Sequence, residues 1–319
     1  VATKGKTIFI TGGAGFIGTA VAKRLVADNK IVIYDNFHRN SLSGSDLEDH
    51  ANVRVIKGSV LDLGKLKESI KKSHIVVHMA AIAGIDTVIK SPVTTMKVNM
   101  IGTYNLLEAT MTLTKVDRVL YFSTSEVFGS YAYKLEEREP THLRPVGEAR
   151  WVYATSKLAG EHLIHSYYTE LGLPVTSVRP FNIYGPGQVG EGAIHVFIKK
   201  AINDQAIEIH GDGDQIRSWC YIDDMVDAIL LCLTKDEAIG EIFNIGNPRG
   251  TITILSLAEK IKHLANSKSK IAHVPKNYVD VELRVPSIEK AKTVLGFKPK
   301  VDLEEGIKRT IEWYRRNRK

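Results

Sequence analysis

Cysteine is scarce in this chain. Its 319 residues hold two, Cys220 and Cys232, in no spacing that suits a metal. That excludes a disulfide-stapled scaffold, and the pair reads as reduced thiols packed as small apolar side chains. Long hydrophobic runs are missing as well. No stretch approaches the ~20 apolar residues of a membrane span. The opening segment runs straight into a strand pattern without a signal-peptide core. Both absences predict a cytoplasmic protein with no membrane insertion. No set of His, Cys, Asp and Glu has zinc-like spacing, so no metal is expected. Acidic residues are the minority, 36 Asp plus Glu against 43 Lys plus Arg. Part of the excess lies in Arg315, Arg316, Arg318 and Lys319, which suit a helix end, where cations meet the negative pole of the dipole. No recognition motif accompanies this charge, so a nucleic-acid partner is not expected. A mild positive balance fits an anionic, phosphorylated substrate.

What the chain does have is alternation. Apolar, β-branched runs at 6–11, 31–35, 53–58, 74–79, 118–123 and 174–180 are separated by helical patterns at 16–27, 93–113 and 154–171. Near-continuous apolar strands spaced by helices predict a parallel sheet covered on both faces. Residues 129–150, with Gly, Pro and charges, read as an excursion over the active-site end. After Pro180 the pattern shifts to loops, short strands and two further helices, 252–265 and 303–316. The division read from this is a nucleotide-binding domain over 1–180 and a substrate lobe over 181–319, with some chain crossing back.

Two motifs carry chemistry. Gly12, Gly15 and Gly18 fall between the first strand and the first helix. There a Cβ would keep the backbone from a pyrophosphate, and the helix N-terminus supplies N–H donors and positive dipole to it. Asp35 closes the second strand, where a carboxylate accepts from the adenosine ribose hydroxyls and repels a 2′-phosphate. NAD rather than NADP follows, with Arg39 nearby to soften the preference. Tyr153 and Lys157 stand four apart at a helix start, on one face. An ammonium and a cationic nicotinamide both favour the phenolate of a tyrosine whose ordinary pKa is ~10. Upstream, Ser123-Thr124-Ser125-Glu126 ends a strand at its ligand-facing end. Thr124 is read as a bridge between a sugar hydroxyl and Tyr153, with Ser125 and Glu126 adding a donor and a carboxylate. Arg217 is a candidate for a substrate diphosphate and Asn182 for a phosphate or nearby backbone. His78 reads as packed or hydrogen-bonded, not catalytic.

In this order the motifs resemble the extended short-chain dehydrogenase/reductase family over nearly the whole chain. Further matching landmarks are His78-Met79-Ala80-Ala81, Asn99 with Gly102-Thr103, Arg179-Pro180-Phe181-Asn182, Gly211 to Arg217 and Asn244-Ile245-Gly246. The resemblance implies a Rossmann-type doubly wound α/β sheet with a smaller C-terminal α/β lobe, NAD, a nucleotide-sugar substrate and a homodimer built from helices near 99–113 and 154–171. It also implies a cofactor set of Gly12, Gly15, Phe16, Ile17, Gly18, Asp35, Asn36, Ser59, Val60, Ala80, Ala81, Asn99, Ser123, Tyr153 and Lys157. Ser59 departs from the Asp usual there, which weakens the adenine contact. Within the family the chain is most similar to UDP-glucuronate decarboxylases. The shared segments are Ser123 to Gly129, Arg150-Trp151-Val152-Tyr153, Gly240 to Pro248 and Asp280 to Ile288. That likeness implies Ser125, Glu126 and Arg284 as active-site residues, with Arg284 also a candidate for the diphosphate. The favoured substrate is a UDP-sugar. Two rival reactions share the opening oxidation at C4: a 4-epimerase, which has no chemical need for Glu126, and a 4,6-dehydratase, in which Glu126 would be the base. A non-catalytic NAD sensor on the same fold is the reading from a different class.

Overall fold

The structure, a computed structural model, describes residues 3–275 and 280–317. Seven parallel strands form the main sheet. From edge to edge they are Ile242–Ile245, Val175–Pro180, Arg118–Phe122, Ile75–His78, Thr7–Thr11, Lys30–Asp35 and Val53–Lys57. Alternation along each strand feeds two cores. Ile8, Ile10, Ile31 and Ile33 pack on one face, while Phe9, Val32 and Tyr34 pack on the other. Both faces are covered by helices, which is why the strands read as unbroken apolar runs. Strand order reverses between Thr7–Thr11 and its neighbour Ile75–His78, so a crevice opens at their carboxyl ends.

The expected long helix over 93–113 is one continuous rod with a defect. Pro92–Met96 runs into a π-helical turn, Lys97–Ile101, and then into Gly102–Thr110. The wider turn carries Asn99, whose buried amide is saturated: Oδ1 accepts from the Ile82 N–H at 2.8 Å, and Nδ2 donates to the Ile82 carbonyl and to Ser156 Oγ. A helix bulge that re-aims one polar side chain has no apolar periodicity to betray it. The helix Val152–Leu171 ends at Gly172 in the left-handed conformation, φ 69°.

The excursion over 129–150 holds an unexpected strand, Tyr131–Leu135. It pairs in parallel with Leu283–Pro286 at the edge of a four-stranded sheet completed by Ile216–Ser218 and Thr251–Thr253. Tyr131 and Tyr133 face solvent, so no buried stripe marks the strand, and its partner lies some 150 residues away. The strand Ile242–Ile245 crosses in the other direction, from the C-terminal half into the main sheet. The helix expected over 252–265 spans Ile254–Leu264, because Thr251–Thr253 is taken by the small sheet and Thr253 Oγ1 caps Ser256 N. The helix Leu303–Arg316 forms as read. Arg315 donates to the Ala265 carbonyl and Arg316 pairs with Glu312, while Arg318 and Lys319 lie outside the described residues. Cys220 and Cys232 are buried free thiols. Among the described residues no helix is long and apolar enough to cross a membrane.

One buried ion pair fastens the helix Val152–Leu171 to the sheet. Arg179 forks onto Glu161 at 2.8 and 2.7 Å, both side chains 3% exposed. Removing one member leaves a buried charge without its partner. Glu161→Ala is expected to lower stability by about 3–5 kcal/mol in urea unfolding; a loss below about 1 kcal/mol would mean that the pair is solvated.

Candidate active site

The glycine loop closes on the neighbouring strand. Gly12 has φ 71°, and a Cβ there would lie 2.6 Å from Ala80 N and 2.8 Å from the Met79 carbonyl carbon. At Gly18 a Cβ would lie 2.5 Å from the Gly12 carbonyl oxygen, so the helix Phe16–Leu25 can sit against the loop only as glycine. A Cβ on Gly15 meets a single atom, Gly12 O at 3.2 Å, and otherwise points into open space. Gly15 is the N-cap and no side chain caps the helix, leaving the first-turn N–H groups of Phe16, Ile17 and Gly18 available to an anion. These features fit a dinucleotide pyrophosphate.

Asp35 lies beside this loop, its carboxylate accepting from Ala14 N at 3.0 Å and Phe37 N at 2.8 Å. Burial pushes its pKa up, and the backbone donors oppose that. Asn36 turns on itself to accept from His38 N. Ser59 offers its carbonyl to the Tyr34 hydroxyl and its Oγ to Leu61 N, and Val60 is buried behind it. Arg39 reaches away from Asp35, donating to the Ala83 carbonyl at 2.9 Å and meeting Glu191 at 3.5 Å. On the other side of the crevice, Ala80 N faces Thr11 Oγ1, Ala81 is half-buried, and the buried Ser123 Oγ has no partner in the protein. His78 is buried between Thr11 Oγ1 at 2.6 Å and Thr103 Oγ1 at 3.0 Å. Since Thr103 donates to the Asn99 carbonyl, the network assigns the proton to Nε2. Burial, then Lys157, pulls His78 down to about 3, so it stays neutral.

Tyr153 is partly open to the cleft, and the Thr124 side chain beside its phenol favours the ionised form. Burial and then Glu126 push the phenol well above its ordinary pKa, against Thr124, Arg150 and Arg39. Lys157 is enclosed, with Nζ 4.3 Å from the Tyr121 ring centroid. Burial pulls it down to about 7 and Glu161 opposes this. The expected help of the lysine to the phenolate is therefore weak in the protein alone, because desolvation drives both groups toward neutrality.

Around Tyr153 the structure assembles charges that are remote in sequence. Glu126 sits in a short 3₁₀ turn, Ser125–Phe128, after the strand Arg118–Phe122. It is gripped by Arg150 through Nη1 at 2.7 Å and Nη2 at 3.2 Å, and Arg284 Nη1 lies 3.8 Å from it. Arg150 also donates to Asp280 at 3.3 Å, and Asp280 meets Arg217 at 3.4 Å. Arg284 and Arg217 stand side by side in paired strands. Arg284 donates to the Gly129 carbonyl; Arg217 donates to the carbonyls of Val281, Ile216 and Glu282. Ser125 is buried next to Glu126. Asn182, in the left-handed region at φ 44°, ties its amide to the Ser218 carbonyl. Thr124, Glu126 and Tyr153 thus converge, with Arg284 beside them. Arg217 and Asn182 are committed to the chain's own backbone. The sequence marks Arg150 and Asp280 only as parts of a motif, because nothing local in it says that an arginine three residues before Tyr153 is buried.

The depressed Lys157 has a stability consequence. A lysine with a folded pKa near 7 and an unfolded value near 10.4 costs stability below both values, and that cost is lifted as pH rises between them. Stability of the dinucleotide-free protein is expected to rise from pH 7 toward pH 10 relative to Lys157→Met, followed by urea midpoints; equal slopes for the two proteins would contradict the burial of this ammonium.

Comparison with known proteins places this geometry. The family model described as NAD dependent epimerase/dehydratase matches residues 8–246. A UDP-N-acetyl-alpha-D-glucosaminuronate decarboxylase of Bacillus cytotoxicus is 36% identical over 97% of this chain and 98% of its own. A mouse dTDP-D-glucose 4,6-dehydratase is 34% identical over 98% of this chain and 89% of its own. The crystal structure of a Thermotoga maritima UDP-glucose 4-epimerase with UDP-glucose superposes with a TM-score of 0.89 at 30% identity, covering 98% of this chain and all of that one. The chain belongs to the NAD dependent epimerase/dehydratase family, the extended short-chain dehydrogenase/reductases, and is an NAD-dependent enzyme that modifies a nucleotide sugar.

Proposed function

We propose that this enzyme decarboxylates a UDP-linked uronic acid through a transient 4-keto sugar. The observation that carries the reading is the charge state of the pocket beside Tyr153. Three buried guanidinium groups, Arg150, Arg217 and Arg284, face two carboxylates, Glu126 and Asp280. Among these five side chains the guanidinium groups outnumber the carboxylates. Arg284 has the loosest carboxylate contact of the three: Glu126 lies 3.8 Å away and is already forked by Arg150. Burial, with Arg217 and Arg150 beside it, pulls its guanidinium down to about 9 against Glu126 and Asp280. Arg284 Nε and Arg150 Nε are buried donors without a partner. Beside the diphosphate that every nucleotide sugar carries, a uronic acid brings a carboxylate at C5, and that second anion suits a guanidinium placed next to Tyr153 and Glu126.

The roles follow. The glycine loop and the first helix turn would hold the pyrophosphate of NAD, and Asp35 the adenosine ribose. Ser59 and Val60 line the adenine side, and Ala80, Ala81, Asn99, Ser123 and Lys157 the nicotinamide side. When bound, NAD accepts the hydride of the sugar C4 and can return it. Tyr153 takes the 4-hydroxyl proton, with Thr124 bridging phenol and sugar oxygen. The ketone so formed makes the substrate a β-keto acid. Breaking the C5–carboxylate bond releases CO2 and leaves its electron pair delocalised onto O4, where the Tyr153 and Thr124 hydroxyls donate. Glu126 and Arg284 order the proton that quenches C5, with Ser125 beside them. Returning the hydride gives the pentose; releasing the ketone gives the 4-keto pentose. Epimerisation has no chemical need for Glu126. The Bacillus cytotoxicus relative, named for decarboxylating a UDP-linked uronate, supports the reading.

The enzyme is further proposed to work as a cytoplasmic homodimer. Ile101, Tyr104 and Met111 on one helix and Tyr168 and Leu171 on its neighbour are exposed. An apolar groove of about 290 Å³ lies between them, lined by Met100, Ile101, Tyr104, Ala159, Gly160 and Leu163. A contiguous apolar face of this kind favours self-association.

Incubation of the enzyme and NAD+ with UDP-glucuronate, UDP-N-acetylglucosaminuronate, UDP-glucose, dTDP-glucose and GDP-mannose tests the reaction. CO2 is expected from a uronate alone, and an altered C4 configuration without CO2 would replace decarboxylation by epimerisation. Arg284→Met is expected to weaken uronate binding about tenfold or more while leaving UDP-glucose binding within about twofold, both read by calorimetry. Light scattering at micromolar concentration should give a dimer mass that falls to a monomer in Ile101→Glu/Tyr104→Glu; a wild-type monomer would remove the dimer.

A further inference from the structure

Arg150 has no role in the reaction as proposed, yet it joins both carboxylates of the site, Glu126 and Asp280. It sits in the short turn Ala149–Trp151 that opens the helix Val152–Leu171, three residues before Tyr153. Its guanidinium stacks 5.1 Å from the Trp151 ring centroid and is almost fully buried. Two of its nitrogens close a fork on the two oxygens of Glu126, and one of them also reaches Asp280. One planar group therefore ties three pieces of chain that are separate in sequence: the turn after the strand Arg118–Phe122, the start of the Tyr153 helix, and the segment leading into the strand Leu283–Pro286.

We propose that Arg150 is a positioning residue that acts through Glu126, fixing its carboxylate beside Tyr153 and holding it there only while Asp280 of the C-terminal half is docked. The inference rests on Tyr153 and Glu126 taking part in the reaction. Two physical effects support it. Glu126 has three side-chain rotors, and the fork removes that freedom with two charge-assisted hydrogen bonds whose planar geometry a lysine cannot reproduce. A carboxylate next to the phenol also opposes its ionisation, and Glu126 is the largest charge acting on Tyr153 in that direction, while Arg150 acts in the opposite one. Without Arg150 the same carboxylate faces the phenol with Arg284, at 3.8 Å, as its remaining guanidinium partner among the described residues. A loose and uncompensated Glu126 is worse for proton transfer at Tyr153 than a glutamine in its place.

A double-mutant cycle tests this on the NAD-loaded enzyme, using whichever nucleotide sugar of the panel above turns over. Arg150→Met is expected to lower kcat by about tenfold or more with KM within about threefold, at unchanged NAD content. Arg150→Lys is expected to restore little, because charge without the fork is not enough. In a Glu126→Gln background, Arg150→Met is expected to cost less than about twofold more, since the group it positions is gone. Asp280→Asn provides the same comparison if Arg150→Met does not fold, with a loss of a few-fold in the parent and none in Glu126→Gln. Losses that multiply in the double variant overturn the proposal, as does full activity in Arg150→Lys, as does a Glu126→Gln enzyme with kcat within twofold of the parent. Epimerisation without CO2 in the panel removes the decarboxylase reading but leaves the cycle readable on that reaction.

Discussion

The close approach of Gly12 to the backbone of Met79 and Ala80 is the constraint on which the site depends. The crevice exists because the strand order reverses between Thr7–Thr11 and Ile75–His78, and the glycine loop must cross its mouth without a side chain. Everything that surrounds a dinucleotide is referenced to that crossing. Gly18 lets the first helix lean on the loop, Asp35 holds Ala14 of the same loop, and Thr11 joins Ala80 and His78 across the reversal.

From there the structure spends its stability on enclosing charge. Lys157, Glu161 and Arg179 are buried along one helix and the strand beside it, and Arg150 and Arg284 are buried at its start around a half-buried Glu126. Desolvation is the first influence on Tyr153, Lys157, Arg150 and Arg284 alike. Such groups are tolerated because they are forked to each other or to backbone carbonyls. Their uneven compensation is what gives the site its chemical character. Glu161 and Arg179 satisfy each other fully and act as structure. Arg284 lies 3.8 Å from a carboxylate already forked by Arg150, and under the proposed function it is the group that meets the carboxylate of an acidic sugar.

Much of this was legible beforehand where signals are local. The glycines, the strand ends carrying Asp35 and Ser123–Glu126, and the Tyr153/Lys157 pair each have a fixed spacing tied to one backbone geometry, and the structure brings them to one crevice. What could not be read was the use of polar residues inside elements. Asn99 distorts its helix to bind Ile82 and Ser156, which a hydrophobic period cannot reveal. Tyr131–Leu135 is a strand because Leu283–Pro286 arrives beside it; its large side chains Tyr131 and Tyr133 face water and only the small Ala132 is fully buried. Arg39 looked like a neighbour of the ribose and is instead tied to Ala83 and Glu191.

By itself the sequence determined the parallel sheet, the dinucleotide loop and the identity of the groups at the strand ends, because periodicity and turn chemistry act over a few residues. Tertiary structure alone decided which charges meet: that Arg150 claims Glu126, that Asp280 joins Arg150 to Arg217, and that Arg284 lies 3.8 Å from the carboxylate Arg150 has forked. Coulombic pairing depends on distance in space and on burial, and neither is encoded in the separation of residues along the chain.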